Sequence, residues 1–140
     1  MAINYNYETD FVLSTEKEYS HWIDRVLLSE GFRIGELAYV FCDDNYLLGL
    51  NQKFLSHDTL TDIITFDYSE GKRVSGDVFI SIERVLENAE IHNAEFDVEL
   101  QRVMVHGVLH LMGYGDKTVV ESSRMRRKED EKIKLFHVEH

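Results

Sequence analysis

Two histidines, a glycine and an aspartate stand at regular spacing in the stretch HGVLHLMGYGD, residues 106–116. His106 and His110 are four residues apart, so on a helix their side chains lie on one face and can reach a single metal ion. Gly113 favours the left-handed backbone that ends a helix, and the chain can then turn back and present the carboxylate of Asp116. The spacing predicts a metal site with three protein ligands and an open position for water, as catalytic sites have.

The alternative is a pair of histidines that are hydrogen-bonded inside the core, because the apolar residues around them indicate a buried helix. The glycine and the aspartate at the right spacing favour the metal site. Two imidazoles and one carboxylate make a single zinc ion the first expectation, and iron or another divalent metal also binds such a set of ligands.

Gly107 bears on the class of reaction. Zinc peptidases place a glutamate directly after the first histidine, where it acts as general base, and this chain has a glycine there. The sequence therefore disfavours a metallopeptidase. Two kinds of chemistry remain: attack by water that the metal activates, and action of the metal on an oxyanion such as phosphate. In either case Gly107 is predicted to leave space for a bulky substrate group.

The length of 140 residues fits one domain, residues 1–140, with a core of its own. No basic leader precedes an apolar run, and no stretch has the roughly 18 apolar residues that a membrane span needs, so we expect a cytoplasmic protein without a membrane partner. Cys42 stands alone in an apolar stretch, which excludes a disulfide within the chain and predicts a buried side chain.

The formal net charge of -11 argues against general electrostatic binding of nucleic acid. Residues 117–134 nevertheless hold 7 of the 15 lysines and arginines, directly after the histidine motif. This basic segment is either a solvated helix face or a surface that binds phosphate. In the second case Lys117, Arg124 and Arg127 are the candidate substrate-binding residues.

The apolar patterns predict, in order, strand, helix, strand, helix, two strands and three helices. We therefore expect an α+β domain in which a small mixed four-stranded sheet is packed with about five helices. The metal site lies at the end of a central helix, which Asp97 is predicted to cap and Gly113 to end.

The motif HGVLHLMGYGD resembles H-G-x-L-H-L-x-G-Y-D-H, the signature of the YbeY family of endoribonucleases. The stretch LNQKFLSHDTLTDIITF is similar to the family's LNxxYRxxDxPTDVLSF, and GDVFIS to its GDIxIS, so the resemblance covers residues 50–116. It implies a cytoplasmic, zinc-dependent endoribonuclease that acts on single-stranded RNA. It also implies the small ribosomal subunit and its RNA as partners, with roles in maturation of the 3' end of that RNA and in ribosome quality control.

Carried over by position, the family's metal ligands fall on His106, His110 and Asp116, and Asp116 takes the place of a third histidine. A family arginine aligns with Leu55, so this chain lacks a bidentate phosphate ligand at that position. Beyond the water on the metal, no general base is identified. His57 is a candidate for proton transfer or phosphate binding, and a solvated loop histidine is the alternative.

A second hypothesis follows from Leu55 and from the acidic charge. The protein would then be a ribosome-associated binding module with a structural or vestigial metal site, which binds but does not cleave. The sequence leaves open whether the acidic surface binds a protein partner.

Overall fold

The structure, a computed structural model, describes residues 2–55 and 61–139, without the side chains of residues 55, 138 and 139. Within those ranges it contains four strands and five helices, in the predicted order. In chain order they are β1 (Ala2–Tyr7), α1 (Glu16–Ser29), β2 (Arg33–Cys42), α2 (Asp44–Leu55), β3 (Ile63–Asp67), β4 (Arg73–Ser81), α3 (Ile82–Ile91), α4 (Phe96–Leu111) and α5 (Val119–Glu139).

The four strands form one sheet in the order β1-β2-β4-β3. β1, β2 and β4 are parallel, and β3 is antiparallel to β4, which confirms the predicted mixed sheet. The last residues of β2 are buried on both faces of the sheet. Phe41 packs into the main core with α1 and α4, whereas Cys42, buried as predicted, packs with α2. A strand covered on both faces is expected to read as a continuous apolar run, and AYVFC does.

α4 is the central helix, and most of its side chains are buried between the sheet and α5. It begins at Phe96 after Glu95, and neither residue supplies a side-chain cap; Asp97 lies inside the first turn, so its predicted role as cap was wrong. The end agrees with the prediction. Gly113 has a φ of 103°, and its N–H donates to the carbonyl of His110 at 2.9 Å. This is a Schellman ending, which reverses the chain after the second histidine.

α5 starts with a capping box formed by Thr118 and Glu121. The Thr118 hydroxyl accepts from the N–H of Glu121 at 3.1 Å, and the Glu121 carboxylate accepts from the N–H of Thr118 at 3.3 Å. The helix then packs along α4 and α1. Across the described residues no helix is both long and apolar enough to cross a membrane.

Candidate metal centre

The three predicted ligands meet where α4 ends. Nε2 of His106 lies 3.0 Å from Nε2 of His110, one helical turn further along. The reversal at Gly113 brings Oδ2 of Asp116 to 3.3 Å from each of these nitrogens. Asp116 is exposed and both histidines are partly exposed, so the three donor atoms face an accessible site.

The donor atoms fit a zinc ion. Ligands at 2.0–2.1 Å from a tetrahedral zinc stand about 3.3 Å from one another, and the three separations are 3.0, 3.3 and 3.3 Å. Two imidazole nitrogens and one carboxylate oxygen also suit iron or another divalent metal. The residues can therefore hold a divalent metal ion, with one tetrahedral position left for a non-protein ligand.

Glu129 of α5 holds the first histidine in place. Its Oε2 lies 2.6 Å from Nδ1 of His106, and only 6% of its side chain is exposed. Arg102 stabilises this buried carboxylate by donating to its other oxygen at 3.0 Å, and it also donates to Asp130 at 2.7 Å. A carboxylate behind a ligating histidine fixes the ring and its tautomer, which keeps Nε2 free for a metal.

The site is rich in negative charge. Burial alone lowers the pKa of His106, but the hydrogen bond to Glu129 and the charges of Glu129, Asp116 and Asp62 outweigh it, so the pKa is raised. Burial raises the pKa of Asp62, although the nearby His106 opposes that change. Carboxylates around a pair of imidazoles favour a bound cation, whether a proton or a metal ion.

A cleft of about 340 Å³, here called the metal cleft, opens over His106 and Asp116. Asp62 lies in its wall, at the start of β3. The sequence favoured a hydrogen-bonding role for Asp62 at the entry to the strand rather than a place in a reactive site. It did not single out several other residues that share the wall: Asn88, His92, Glu99, Arg102, Arg126 and Glu129.

One of these residues carried a signal in the sequence. Glu129 lies four residues after Met125 and four before Ile133, and all three are buried on the same stripe of α5. A charged residue inside an otherwise apolar helical stripe needs a partner, and here the partner is a ligand of the candidate metal. Asp62 carried no such signal, because only the pairing of β3 with β4 brings it near α4.

The candidate substrate-binding residues occupy different surfaces. Lys117 and Arg127 line a second concavity of about 640 Å³, here called the outer groove, which lies beside Asp116. Arg124 is exposed and is not among the described residues that line either concavity. Arg126 lines both. His57 lies outside the described residues.

Gly107 faces the sheet. A Cβ atom at this position would lie 2.9 Å from Cγ1 of Val78 and 3.0 Å from Cδ1 of Ile63. The expectation that this glycine leaves space for substrate was therefore wrong, because the sheet fills that space. The same contacts leave no room for the glutamate of a zinc peptidase, which agrees with the sequence-based argument against peptide hydrolysis.

The sequence matches the family described as Endoribonuclease YbeY over residues 3–137. The chain belongs to the YbeY endoribonuclease family. The YbeY resemblance seen in the motifs is thus confirmed across nearly the whole chain, and the family's members are hydrolases that act on RNA.

Relatives and a solved structure agree with this membership. The chain is 57% identical to the endoribonuclease YbeY of Flavobacterium psychrophilum over 97% of each chain. It is 53% identical to that of Flavobacterium johnsoniae, over 98% of this chain and 99% of the relative. The solution structure of a Thermotoga maritima protein superposes with a TM-score of 0.73 at 26% identity, over 99% of this chain and 91% of the other.

Proposed function

We propose that this protein is a metal-dependent endoribonuclease that acts on single-stranded RNA, with its reactive centre at His106, His110 and Asp116. One observation carries the proposal. The three donor atoms form a triangle with the dimensions of a zinc site, two of their residues, His106 and Asp116, line a cleft, and the chain belongs to the YbeY family. Zinc is the first choice of metal because two of the three ligands are imidazoles.

A divalent ion held by these residues supplies Lewis-acid chemistry, which lowers the pKa of water and offsets charge on phosphate oxygens. The protein's own groups set the geometry. Glu129 accepts the Nδ1 proton of His106 and so keeps Nε2 available as a ligand. Asp116 contributes the third donor from beyond the helix end, and its exposed side chain lines the metal cleft.

Asp62 is the group to which we assign proton transfer. It lies in the wall of the metal cleft, and burial raises its pKa although the charge of His106 and a backbone hydrogen bond oppose that rise. A carboxyl whose pKa moves upward towards neutrality is better suited to exchange protons during a hydrolysis. Asp62→Asn should lower kcat by about 10²-fold or more while bound metal is retained.

The biological substrate in this proposal is the 3' end of small-subunit ribosomal RNA, handled in the cytoplasm as the family resemblance implies, with a further role in ribosome quality control. The predicted contributions of Lys117, Arg124 and Arg127 to RNA binding belong to the same proposal. They rest on the position of the basic segment directly after the third ligand.

The test is cleavage of end-labelled single-stranded RNA by purified full-length protein, stripped of metal and reloaded with zinc, manganese or iron(II). A duplex of the same sequence and a His106→Ala protein prepared in parallel are the controls. We expect internal cleavage of the single strand, loss of cleavage with chelator and its return with metal. Equal cleavage by wild type and His106→Ala would identify a contaminant and refute the proposal. Precursor small-subunit RNA then tests the biological substrate.

A further inference from the structure

The metal cleft and the outer groove are joined by shared walls. Asp116, Ser122 and Arg126 line both concavities. The outer groove therefore begins at the candidate metal site and continues along the first turns of α5. Because the two concavities adjoin at these residues, a strand bound at the metal can continue from the cleft into this groove over Asp116, Ser122 and Arg126.

The charge of the outer groove differs from that of the protein as a whole. Three of its residues are cations, Lys117, Arg126 and Arg127, whereas Asp116 is its one carboxylate among the described residues that line it. The chain carries a formal net charge of -11. Lys117 donates its backbone N–H to Glu121, but within residues 2–55 and 61–139 the charged ends of these three side chains make no hydrogen bond or ion pair with another protein group. Their charges remain available to an anion.

Two arginines lie in the wall of the metal cleft, and only Arg126 has a guanidinium without a protein partner among the described residues. The other arginine in that wall, Arg102, already donates to Glu129 and Asp130. Arg126 lies three residues before Glu129 on α5, so it is close to one helical turn from the carboxylate that holds His106. The motif resemblance implies an arginine at position 55, where this chain has Leu55. A guanidinium from α5 can supply a bidentate contact with phosphate instead.

We propose that the outer groove binds the backbone of the RNA strand as it leaves the metal cleft, and that Arg126 holds a phosphate next to the one that is cleaved. This inference rests on the proposed ribonuclease function. The hydroxyl groups of Ser122 and Ser123 and the cations Lys117 and Arg127 line the rest of the path. Such contacts fix the position of a strand without reading its sequence.

The test measures RNA binding apart from cleavage. Full-length protein kept in EDTA is titrated into fluorescently labelled oligouridylate or oligoadenylate, and the dissociation constant is measured by anisotropy over a range of salt concentrations. Arg126→Ala should raise the dissociation constant about tenfold and reduce the slope of log affinity against log salt by about 0.7. Both oligonucleotides should be affected equally, because a phosphate contact carries no base preference.

Lys134→Ala is the matched control. It removes one positive charge from the same helix at an exposed position roughly 12 Å further along the axis, away from both concavities. It should change the dissociation constant by less than about twofold. Arg126→Lys should keep the salt slope and lose part of the affinity, because a lysine retains the charge without the planar fork. Thermal unfolding of each variant verifies that the fold is retained.

An equal effect of Arg126→Ala and Lys134→Ala would show that only net charge matters and would overturn the proposal, as would no effect of Arg126→Ala. Cleavage by metal-loaded wild type is measured alongside. Cleavage without an Arg126 effect means that the groove proposal fails while the nuclease stands. An Arg126 effect without any cleavage means that the binding path stands and the nuclease function fails.

Discussion

The carboxylate of Glu129 lies 2.6 Å from Nδ1 of His106, and this contact makes α5 part of the candidate metal centre. A histidine with its Nδ1 proton held by a carboxylate presents Nε2 in a fixed direction. That direction is towards Nε2 of His110 and Oδ2 of Asp116. The ligands come from α4 and the turn after it, whereas their alignment depends on the last helix of the chain.

Glu129→Gln tests this dependence. The amide oxygen of glutamine can still accept a hydrogen bond from the Nδ1–H group of His106. It lacks the negative charge that makes His106 a stronger ligand. We expect zinc affinity, measured by competition with a chromophoric chelator, to fall about 10- to 100-fold. Asp130→Asn is the control, because Asp130 also pairs with Arg102 but does not touch His106. Equal losses in the two variants would mean that the charge on α5 matters and the contact with His106 does not.

Metal binding should be visible as a gain in stability. An ion that binds only the folded chain stabilises it by about 2.7 kcal/mol when its free concentration is 100 times Kd. Thermal unfolding with and without zinc should show this gain in wild type and lose it in His110→Ala. Asp116→His should retain most of it, since an imidazole nitrogen binds zinc at about the same distance as a carboxylate oxygen. If zinc stabilised His110→Ala as much as wild type, His110 would not be a ligand of the metal.

The sequence predicted that the three candidate ligands would meet, as they do, because their proximity depends on local geometry. A spacing of four on a helix and a glycine at its end place His106, His110 and Asp116 within one turn and one reversal of each other. The order of strands and helices was predictable for the same reason, since each element carries its own apolar period. The strand order β1-β2-β4-β3 required the folded structure.

The residues that sequence reasoning missed come from distant parts of the chain. Asp62 and Arg126 approach the ligands from β3 and α5, and no spacing rule connects them with residues 106–116. Which of Arg124, Arg126 and Arg127 lines the metal cleft depends on how α5 is rotated about its axis against α4. A rotation set by packing cannot be read from a run of basic residues.

Gly107 was misjudged because the sequence does not show which way a small residue faces. Its Cβ position lies against Val78 and Ile63 in the core, so Gly107→Ala should lower the free energy of unfolding by about 1 kcal/mol, the cost of overpacking less the gain in helix propensity. Beyond the backbone of its own helix and its chain neighbours, none of the atoms that the structure describes lies within 4 Å of a Cβ placed on Gly49 of α2. Gly49→Ala should therefore raise the free energy of unfolding by about 0.5–1 kcal/mol. Urea unfolding gives the free energy of unfolding of both variants. If both alanine variants were more stable than wild type, the close packing at Gly107 would be contradicted.

Glu30 joins the end of α1 to the turn that follows α4 within the histidine motif. Its carboxylate accepts from the hydroxyl of Tyr114 at 2.7 Å and pairs with Lys132 at 2.7 Å and Lys128 at 2.9 Å. Burial works against the charged form, but these three partners outweigh it and lower the pKa of Glu30 from its ordinary value of 4.5 to about 2.

A depressed carboxyl pKa stabilises the fold above the unfolded-state value near 4.5, and the contribution is lost as the pH falls through about 2. With allowance for partial exposure, it is on the order of 2 kcal/mol. Glu30→Gln should therefore be less stable than wild type at pH 7, and the difference should shrink between pH 4.5 and 2. Urea unfolding across this range measures it.

Glu131→Gln is the control for that experiment. Glu131 pairs with the same Lys132 at 2.7 Å, but its side chain is 56% exposed, and the pairs of exposed carboxylates contribute little. Its pH profile should follow that of wild type. If Glu30→Gln also followed the wild-type profile at a constant offset, its loss of stability would come from packing at Tyr114, and the ion pairs with α5 would not stabilise the turn that carries Asp116.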